Sequence, residues 1–347
     1  MPVAPVLDFP LYVYWNVTSR CNLRCAHCLS DSGAARKGEM SYSQGVALID
    51  EMAANRAFFL YLSGGEPFLR PDLLELIERA RAYGISVSLA TNGVFVTSEK
   101  AGHLKSLGVA EVMVSLDGPD AASHDAFRGV PGTFHAALRA LEILRAQGLR
   151  TAVSTMVRPA IIPLLSEIHG LVAQRGAHAW RLSGTCPVGR GRELYAEIGL
   201  SAGEIHHLAR YVAETTSEGG PVAVFLEDPL PMKSWGLEGR ISLRPATCMA
   251  GRVLCCVQSD GTVTPCVLFD LPMGSFKQQT LKEIWQSSET VLKLRAVSPA
   301  TLQGRCALCS KVSSCNGGCR AHSWSEYGDV FASDPVCLDG LAVEEGS

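Results

Sequence analysis

Three cysteines, Cys21, Cys25 and Cys28, stand in a C-x3-C-x2-C spacing inside TSRCNLRCAHCLSDSG. Three thiolates on one short loop can hold three irons of a [4Fe–4S] cube and leave the fourth iron open to chelation by a small molecule. A zinc site is the alternative, but zinc wants four closed ligands at other spacings. His27 could complete such a set, yet it directly precedes Cys28, so its ring should point away from that cysteine's side. A second array is denser: Cys306-x2-Cys309-x5-Cys315-x3-Cys319, then seventeen residues, then Cys337. Upstream of it stand Cys248, the adjacent Cys255 and Cys256, and Gly261-x4-Cys266. Paired C-x2-C spacings also build zinc ribbons, and eight thiolates could hold two zinc ions. Coupled to an iron-type loop, they point to iron–sulfur clusters instead. Full thiolate ligation leaves no iron open, which suits electron relay better than substrate binding.

The elements that must position these groups alternate regularly. LYVYWNV (11–17), AFFLYLS (57–63), ISVSLAT (85–91), VAEVMVSLD (109–117), LRTAVSTMV (149–157) and AHAWRLSG (177–184) read as six strands separated by helical periodicity. Ser41 with Gln44, and Ser201 with Glu204, have capping-box spacing. Pro71 suits a first helical turn, followed by an apolar face of Leu73, Leu74, Ile77 and Ala80. Gly84, Gly108, Gly148 and Gly176 each fall between a helix and the next strand, where a left-handed cap is wanted. Repeated strand–helix units imply an α/β fold with a parallel sheet or barrel, whose active site lies at the carboxyl ends of the strands. The short motifs lie there: Gly64-Gly65-Glu66-Pro67 after the second strand, Thr91-Asn92-Gly93 after the third, Ser115-Leu116-Asp117-Gly118 after the fourth.

Beyond residue 228 the pattern changes. Pro229, Pro231, Gly236 and Pro245 break regularity, and nine of the thirteen cysteines fall between 248 and 337. Only 280–297 reads as one clear helix. The expected division is a barrel over 1–228, a small loop-rich iron–sulfur domain over 229–340 and a tail over 341–347.

Composition narrows the function. Net charge is −3, which gives no electrostatic case for nucleic acid or an anionic membrane. No run of eighteen apolar residues suggests a membrane span, and the N-terminus lacks the form of a signal peptide. The expected location is the cytoplasm, where disulfides are not favoured; thirteen cysteines, an odd number, therefore read as metal ligands.

The first cysteine loop, with GGEP, TNG, SLDG and Arg128 in HDAFRG, resembles the signature of the radical SAM superfamily. The resemblance implies a partial (β/α)6 barrel. It also implies an S-adenosylmethionine (SAM) binding [4Fe–4S] cluster and reductive cleavage of SAM to a 5′-deoxyadenosyl radical that abstracts hydrogen from substrate. By the same resemblance Gly64, Gly65, Glu66 and Pro67 contact the SAM amino group, and Thr91, Asn92 and Asp117 are further cofactor-binding residues. Ser115 and Arg128 would hold its carboxylate.

The later cysteines resemble the SPASM extension of peptide-modifying radical SAM enzymes. The resemblance implies a first auxiliary cluster on Cys248, Cys255, Cys266 and Cys319, either [4Fe–4S] or [2Fe–2S], with Cys256 the alternative to Cys255. A second, [4Fe–4S], would use Cys306, Cys309, Cys315 and Cys337. Over nearly its whole length the chain is similar to the radical SAM maturases of mycofactocin biosynthesis, which decarboxylate and crosslink a peptide. The expected function is oxidative modification of a ribosomally made peptide, by decarboxylation, crosslinking or epimerisation. A separate leader-recognition protein is expected because only twenty residues precede Cys21. Flavodoxin or ferredoxin is the expected electron donor. Cys186, in GTCPVGRGR, is a candidate catalytic thiol facing a substrate radical or a buried structural one. The alternatives are a radical SAM enzyme tailoring a haem precursor or sugar-type molecule, and a non-catalytic iron–sulfur electron carrier. GGEP, SLDG and Arg128 argue against the carrier, which needs no site for an amino acid.

Overall fold

The computed structural model describes residues 5–217, 220, 222–227 and 248–337. The expected boundary at 228/229, the four Pro and Gly breaks after it and the tail over 341–347 lie outside the described residues.

Six strands run parallel in chain order: β1 (Tyr12–Thr18), β2 (Phe59–Gly64), β3 (Ser86–Thr91), β4 (Glu111–Ser115), β5 (Thr151–Val157) and β6 (Ala179–Gly184). A helix follows each of the first five, so the barrel half of the expected fold is present as read. Along the strands, Val13, Leu60, Val87 and Val112 pack against the helices in the main apolar core. Residues of opposite parity, such as Tyr14, Tyr61, Ser88 and Ser154, occupy the other face.

Four strands were not foreseen. β7 (Ala223–Glu227) extends the sheet beyond β6, and β8 (Leu254–Val257) pairs parallel with β1 on the opposite side. β9 (Thr262–Thr264) and β10 (Gly274–Ser275) continue antiparallel from β8. The order is therefore β10-β9-β8-β1-β2-β3-β4-β5-β6-β7, one sheet shared by the barrel and the cysteine-rich region. These strands run from two to five residues, too short for periodicity to announce them.

Local signals held with small shifts. Both halves of the capping box form at the helix Tyr42–Ala54, where Gln44 N–H donates to Ser41 Oγ and Ser41 N–H to the Gln44 side chain. Ser201 and Glu204 do the same before Ala202–Ser217. Gly84, Gly108, Gly148 and Gly176 all adopt positive φ, between 66° and 76°. Pro71 lies just outside its helix, which starts at Leu73 after Asp72, and Leu76 rather than Leu74 completes the buried face. The single helix expected over 280–297 is two, Leu281–Ser287 and Glu289–Arg295. Ser288, extended at φ −61° and ψ 127°, ends one and starts the other. Trp285 from the first donates its indole N–H to Leu7 O at 2.7 Å, fastening this region to the start of the chain.

Candidate active site at the strand ends

The loop bearing Cys21, Cys25 and Cys28 leaves β1 and is fixed at its base. Cys21 N–H donates to Gly33 O at 2.8 Å, and Gly33 N–H donates to Ser19 O at 2.9 Å. Glu39, which sequence reasoning missed, accepts from Ser19 N at 2.7 Å and from the Ser19 hydroxyl at 2.6 Å. These bonds from Ser19 lower the Glu39 pKa although burial opposes them. Within the loop, Leu23 N–H points to Cys21 Sγ at 3.4 Å and Ser32 N–H to Cys28 Sγ at 3.3 Å. Burial pushes the Cys21 thiol up to about 11, with the negative charge of Cys25, Glu66 and Cys28 adding to it. Burial raises Cys25 too, against the lowering charge of Arg128. A thiol bound to a metal gives up its proton, so ligation would relieve the raised pKa values of Cys21 and Cys25.

GGEP closes β2 directly under this loop. Gly65 and Glu66 donate their N–H groups to Thr18 O and Arg20 O, both at 2.8 Å. A side chain at Gly64, where φ is +123°, would meet Thr18 O at 2.5 Å, and one at Gly65 would overlap Arg20 O. Only glycine allows this approach. The Glu66 carboxylate is fully buried. It accepts from Thr91 Oγ1 at 2.9 Å, Asn92 N at 2.9 Å and Phe68 N at 3.2 Å, locking GGEP to the end of β3. Burial raises its pKa to about 7, with the Asn92, Thr91 and Phe68 bonds pulling the other way. Asn92 reaches back to Asn22 Oδ1 at 2.8 Å, inside the cysteine loop. Pro67 opens the turn Pro67–Leu69.

At the end of β4, Ser115 is half-buried while Asp117 is fully enclosed. Oδ2 of Asp117 takes the Arg128 Nε–H at 2.5 Å, and Oδ1 takes Met156 N–H at 2.8 Å. Burial would raise the Asp117 pKa, but the Arg128 charge overcomes it and holds the group below the ordinary range. Nη1 of Arg128 then lies 3.7 Å from Cys25 Sγ. The charge expected to meet a carboxylate is therefore held against the cysteine loop. Two more cations went unread in the sequence. Arg158 donates to Asp117 O at 3.1 Å and covers one face of Phe127 at 3.9 Å, while His27 stacks on Phe127 at 4.1 Å. Arg190, in the PVGRGR phrase, donates to Cys25 O at 3.0 Å and to Ser32 O at 2.8 Å. Gly189 beside it, at φ +55°, lies so close to Cys28 O that a side chain would overlap it. The repeated Gly-Arg was the available signal: small residues for close approach, alternating with fork-shaped donors.

Asp334 ties two of the C-terminal cysteines together. Its Oδ2 accepts Cys319 N–H at 2.7 Å, and its main-chain oxygen accepts Cys337 N–H at 3.2 Å. Cys315 is acted on by Cys306 and Asp334, although burial is the main cause of its raised pKa. Cys309 N–H donates to Cys306 O at 3.3 Å. Cys186 is buried at 1 % exposure, beside His322 at 2 %. His322 Nδ1 stands 3.5 Å from Asp334 Oδ1, and neither ring nitrogen has a well-formed hydrogen bond. Burial lowers the affinity of that ring for a proton, yet Asp334 and Cys186 together raise its pKa to about 10. No cysteine of the chain is paired in a disulfide. Among the described residues no helix is long and apolar enough to cross a membrane.

Comparison with known proteins gives the family and the fold. The model of the radical SAM superfamily matches residues 15–162, and an iron–sulfur cluster-binding domain model, SPASM, matches 248–316. The AdoMet-dependent heme synthase of Methanosarcina barkeri is 31 % identical, over 95 % of this chain and 96 % of that protein. The mycofactocin maturase MftC of Mycobacterium tuberculosis is 33 % identical, over 96 % of this chain and 84 % of that one. Among solved structures, Streptococcus suis SuiB bound to precursor peptide SuiA superposes with a TM-score of 0.79 at 16 % identity, covering 96 % of this chain and 76 % of that one. Native anSMEcpe with bound AdoMet gives 0.72 at 20 % identity, covering 93 % of each chain. The two structures share the fold. The chain belongs to the radical SAM superfamily and is an enzyme carrying a SPASM iron–sulfur domain.

Proposed function

We propose that this enzyme cleaves SAM reductively and uses the resulting hydrogen-atom abstraction to modify a ribosomally made peptide oxidatively. The observation that carries the SAM part is the convergence, at the ends of adjacent strands, of the three-thiol loop, the GGEP backbone and the Arg128–Asp117 pair. The spacing of the three thiols suits a cubane with one open iron, and Gly64 and Gly65 let the end of β2 pack against Thr18 O and Arg20 O beneath the cysteine loop. When bound there, the cluster and SAM supply the hydrogen-atom abstractor. Arg128, held by Asp117, presents a cation to the carboxylate of SAM; Ser115 adds a hydroxyl; Glu66 holds the strand ends that shape the amino-group site. Cys21, Cys25 and Cys28 hold the catalytic iron. Two auxiliary clusters take the C-terminal thiols, the second on Cys306, Cys309, Cys315 and Cys337, and carry the second electron of an oxidative modification.

Similarity to a peptide maturase across 96 % of the chain supports a peptide substrate, as does a fold shared with a protein solved with its precursor peptide. A separate leader-recognition protein, a flavodoxin- or ferredoxin-type donor and a cytoplasmic setting complete this reading. A second reading, action on a haem precursor, is supported by the equally extensive match to a heme synthase. One experiment separates them. The anaerobically reconstituted enzyme is incubated with SAM, reductant and either a short precursor peptide encoded beside it or an iron coproporphyrin. A mass change in the peptide alone supports the first reading, and a change in the porphyrin alone replaces it with the second.

A further inference from the structure

Cys186 and Cys255 lie in different buried clusters. Cys255 lies on β8 opposite Val13 of β1, and its side chain joins the main apolar core with Val257, Val263, Leu281 and Trp285. Among the described residues, the one ionisable group acting on it is its neighbour Cys256. Alternation along β8 turns Cys256 to the opposite face, where Gln258 Nε2 lies 3.5 Å from its sulfur. Cys186 belongs to a second, separate buried cluster with Val188, Ala250, Leu268 and Cys306, and Cys248, Cys266 and Cys319 pack against that same cluster. The Tyr195 ring stands 6.4 Å from the His322 ring, edge on. His322, on the helix that Cys319 caps, is 98 % enclosed in the sense that only 2 % of it is exposed, and its ring nitrogens lack well-formed hydrogen bonds while facing Cys186 and Asp334.

We propose that Cys186, rather than Cys255, is the fourth thiolate of the first auxiliary cluster, with Cys248, Cys266 and Cys319, and that His322 donates a hydrogen bond to its sulfur. The proposal rests on the two-auxiliary-cluster reading above and changes one ligand of it. Ligation releases the thiol proton to solvent and forms a sulfur–iron bond, with no change in electron count. Hydrogen bonds to ligand sulfurs are among the factors that set a cluster's reduction potential. The consequence concerns electron flow. Cys186 and Arg190 lie four residues apart on the loop that follows β6, and Arg190 holds the Cys25 carbonyl at 3.0 Å. With Cys186 as a ligand, one short segment would join the SAM-cluster loop to the first auxiliary cluster.

The test uses the full chain in a Cys21, Cys25 and Cys28 triple-alanine background, reconstituted anaerobically, so that only auxiliary iron is counted. Cys255→Val should keep all of that iron and its EPR signals, because valine suits the apolar core. Cys186→Ser should lose one cluster's worth, about two to four irons, or alter the signal of one cluster alone. His322→Gln should keep the iron but shift the midpoint potential of one auxiliary cluster. Full retention in Cys186→Ser with loss in Cys255→Val overturns the assignment. If Cys186→Ser does not fold, the Cys255→Val result decides: loss of one cluster from a folded variant overturns the proposal. A background protein that binds no iron at all overturns the auxiliary-cluster reading itself, a different failure.

Discussion

Nε of Arg128 lies 2.5 Å from Oδ2 of Asp117, an ion pair joining the last residue of the helix Ala121–Arg128 to the end of β4. Asp117 is wholly buried and spends its other oxygen on Met156 N–H, so the pair has one geometry. Removing one member of a buried pair leaves the other charge uncompensated, at a cost of about 3–5 kcal/mol. Asp117→Asn should therefore lower the unfolding midpoint of the apo-protein and weaken SAM binding at least tenfold. Unchanged stability and unchanged affinity would show that Arg128 is positioned by something else.

Glu66 gives a pH dependence with a definite sign. Its folded pKa is raised to about 7 by burial, above the ordinary value near 4.3. The folded state therefore holds its proton more tightly than the unfolded state, so this group's contribution is complete below pH 4.3 and is lost as pH rises through 7. The full span is about 3.5 kcal/mol. Between pH 5 and 8 the wild-type apo-protein should lose stability relative to Glu66→Gln, measured by chemical denaturation at each pH. Parallel curves would mean the carboxylate is not desolvated as described.

Arg190 clamps the cysteine loop from the far side of the barrel through Cys25 O, Ser32 O and Asp31. Arg190→Ala should leave total iron after reconstitution near the wild-type value. Chelator should then strip the SAM-binding cluster several-fold faster than the auxiliary ones, followed by loss of its EPR signal. Equal rates for all clusters would remove Arg190 from the support of that loop.

Backbone approach can be tested without touching a charged group. Gly65→Ala places a methyl against Arg20 O, and Gly189→Ala places one against Cys28 O at a positive φ. Overpacking of this kind costs about 1–3 kcal/mol and shifts the backbone. Both variants should form less 5′-deoxyadenosine than wild type, whereas Gly203→Ala, with nothing within 4 Å of the added carbon, should match it. Wild-type turnover by Gly65→Ala would mean the approach of the two segments is not required.

The sequence made the barrel readable because its strands are six or so residues of apolar chain, each set off by a capped helix. Gly84 and Gly176 announced helix ends whose backbone then took the positive φ they permit. The cysteine loop, GGEP and SLDG were readable because their chemistry depends on spacing along the chain. What stayed hidden depends on pairing across it. β8 is four residues long, and nothing in LCCV says that it lies beside β1. The same holds for Glu39 under Ser19, for Arg158 over Phe127, and for His322 beside Cys186. Each is a lone polar residue, ordinary at its own position, that gains meaning from a neighbour far away in sequence.

The most direct measurement is 5′-deoxyadenosine production under strong reductant, set beside the iron content of the same anaerobic samples. Wild type should hold about twelve irons if all three clusters are cubes and should form 5′-deoxyadenosine from SAM; the Cys21, Cys25 and Cys28 triple-alanine variant should keep about eight and form none. Cleavage of SAM by the variant, or zinc in place of iron in the wild-type loop, would contradict the account.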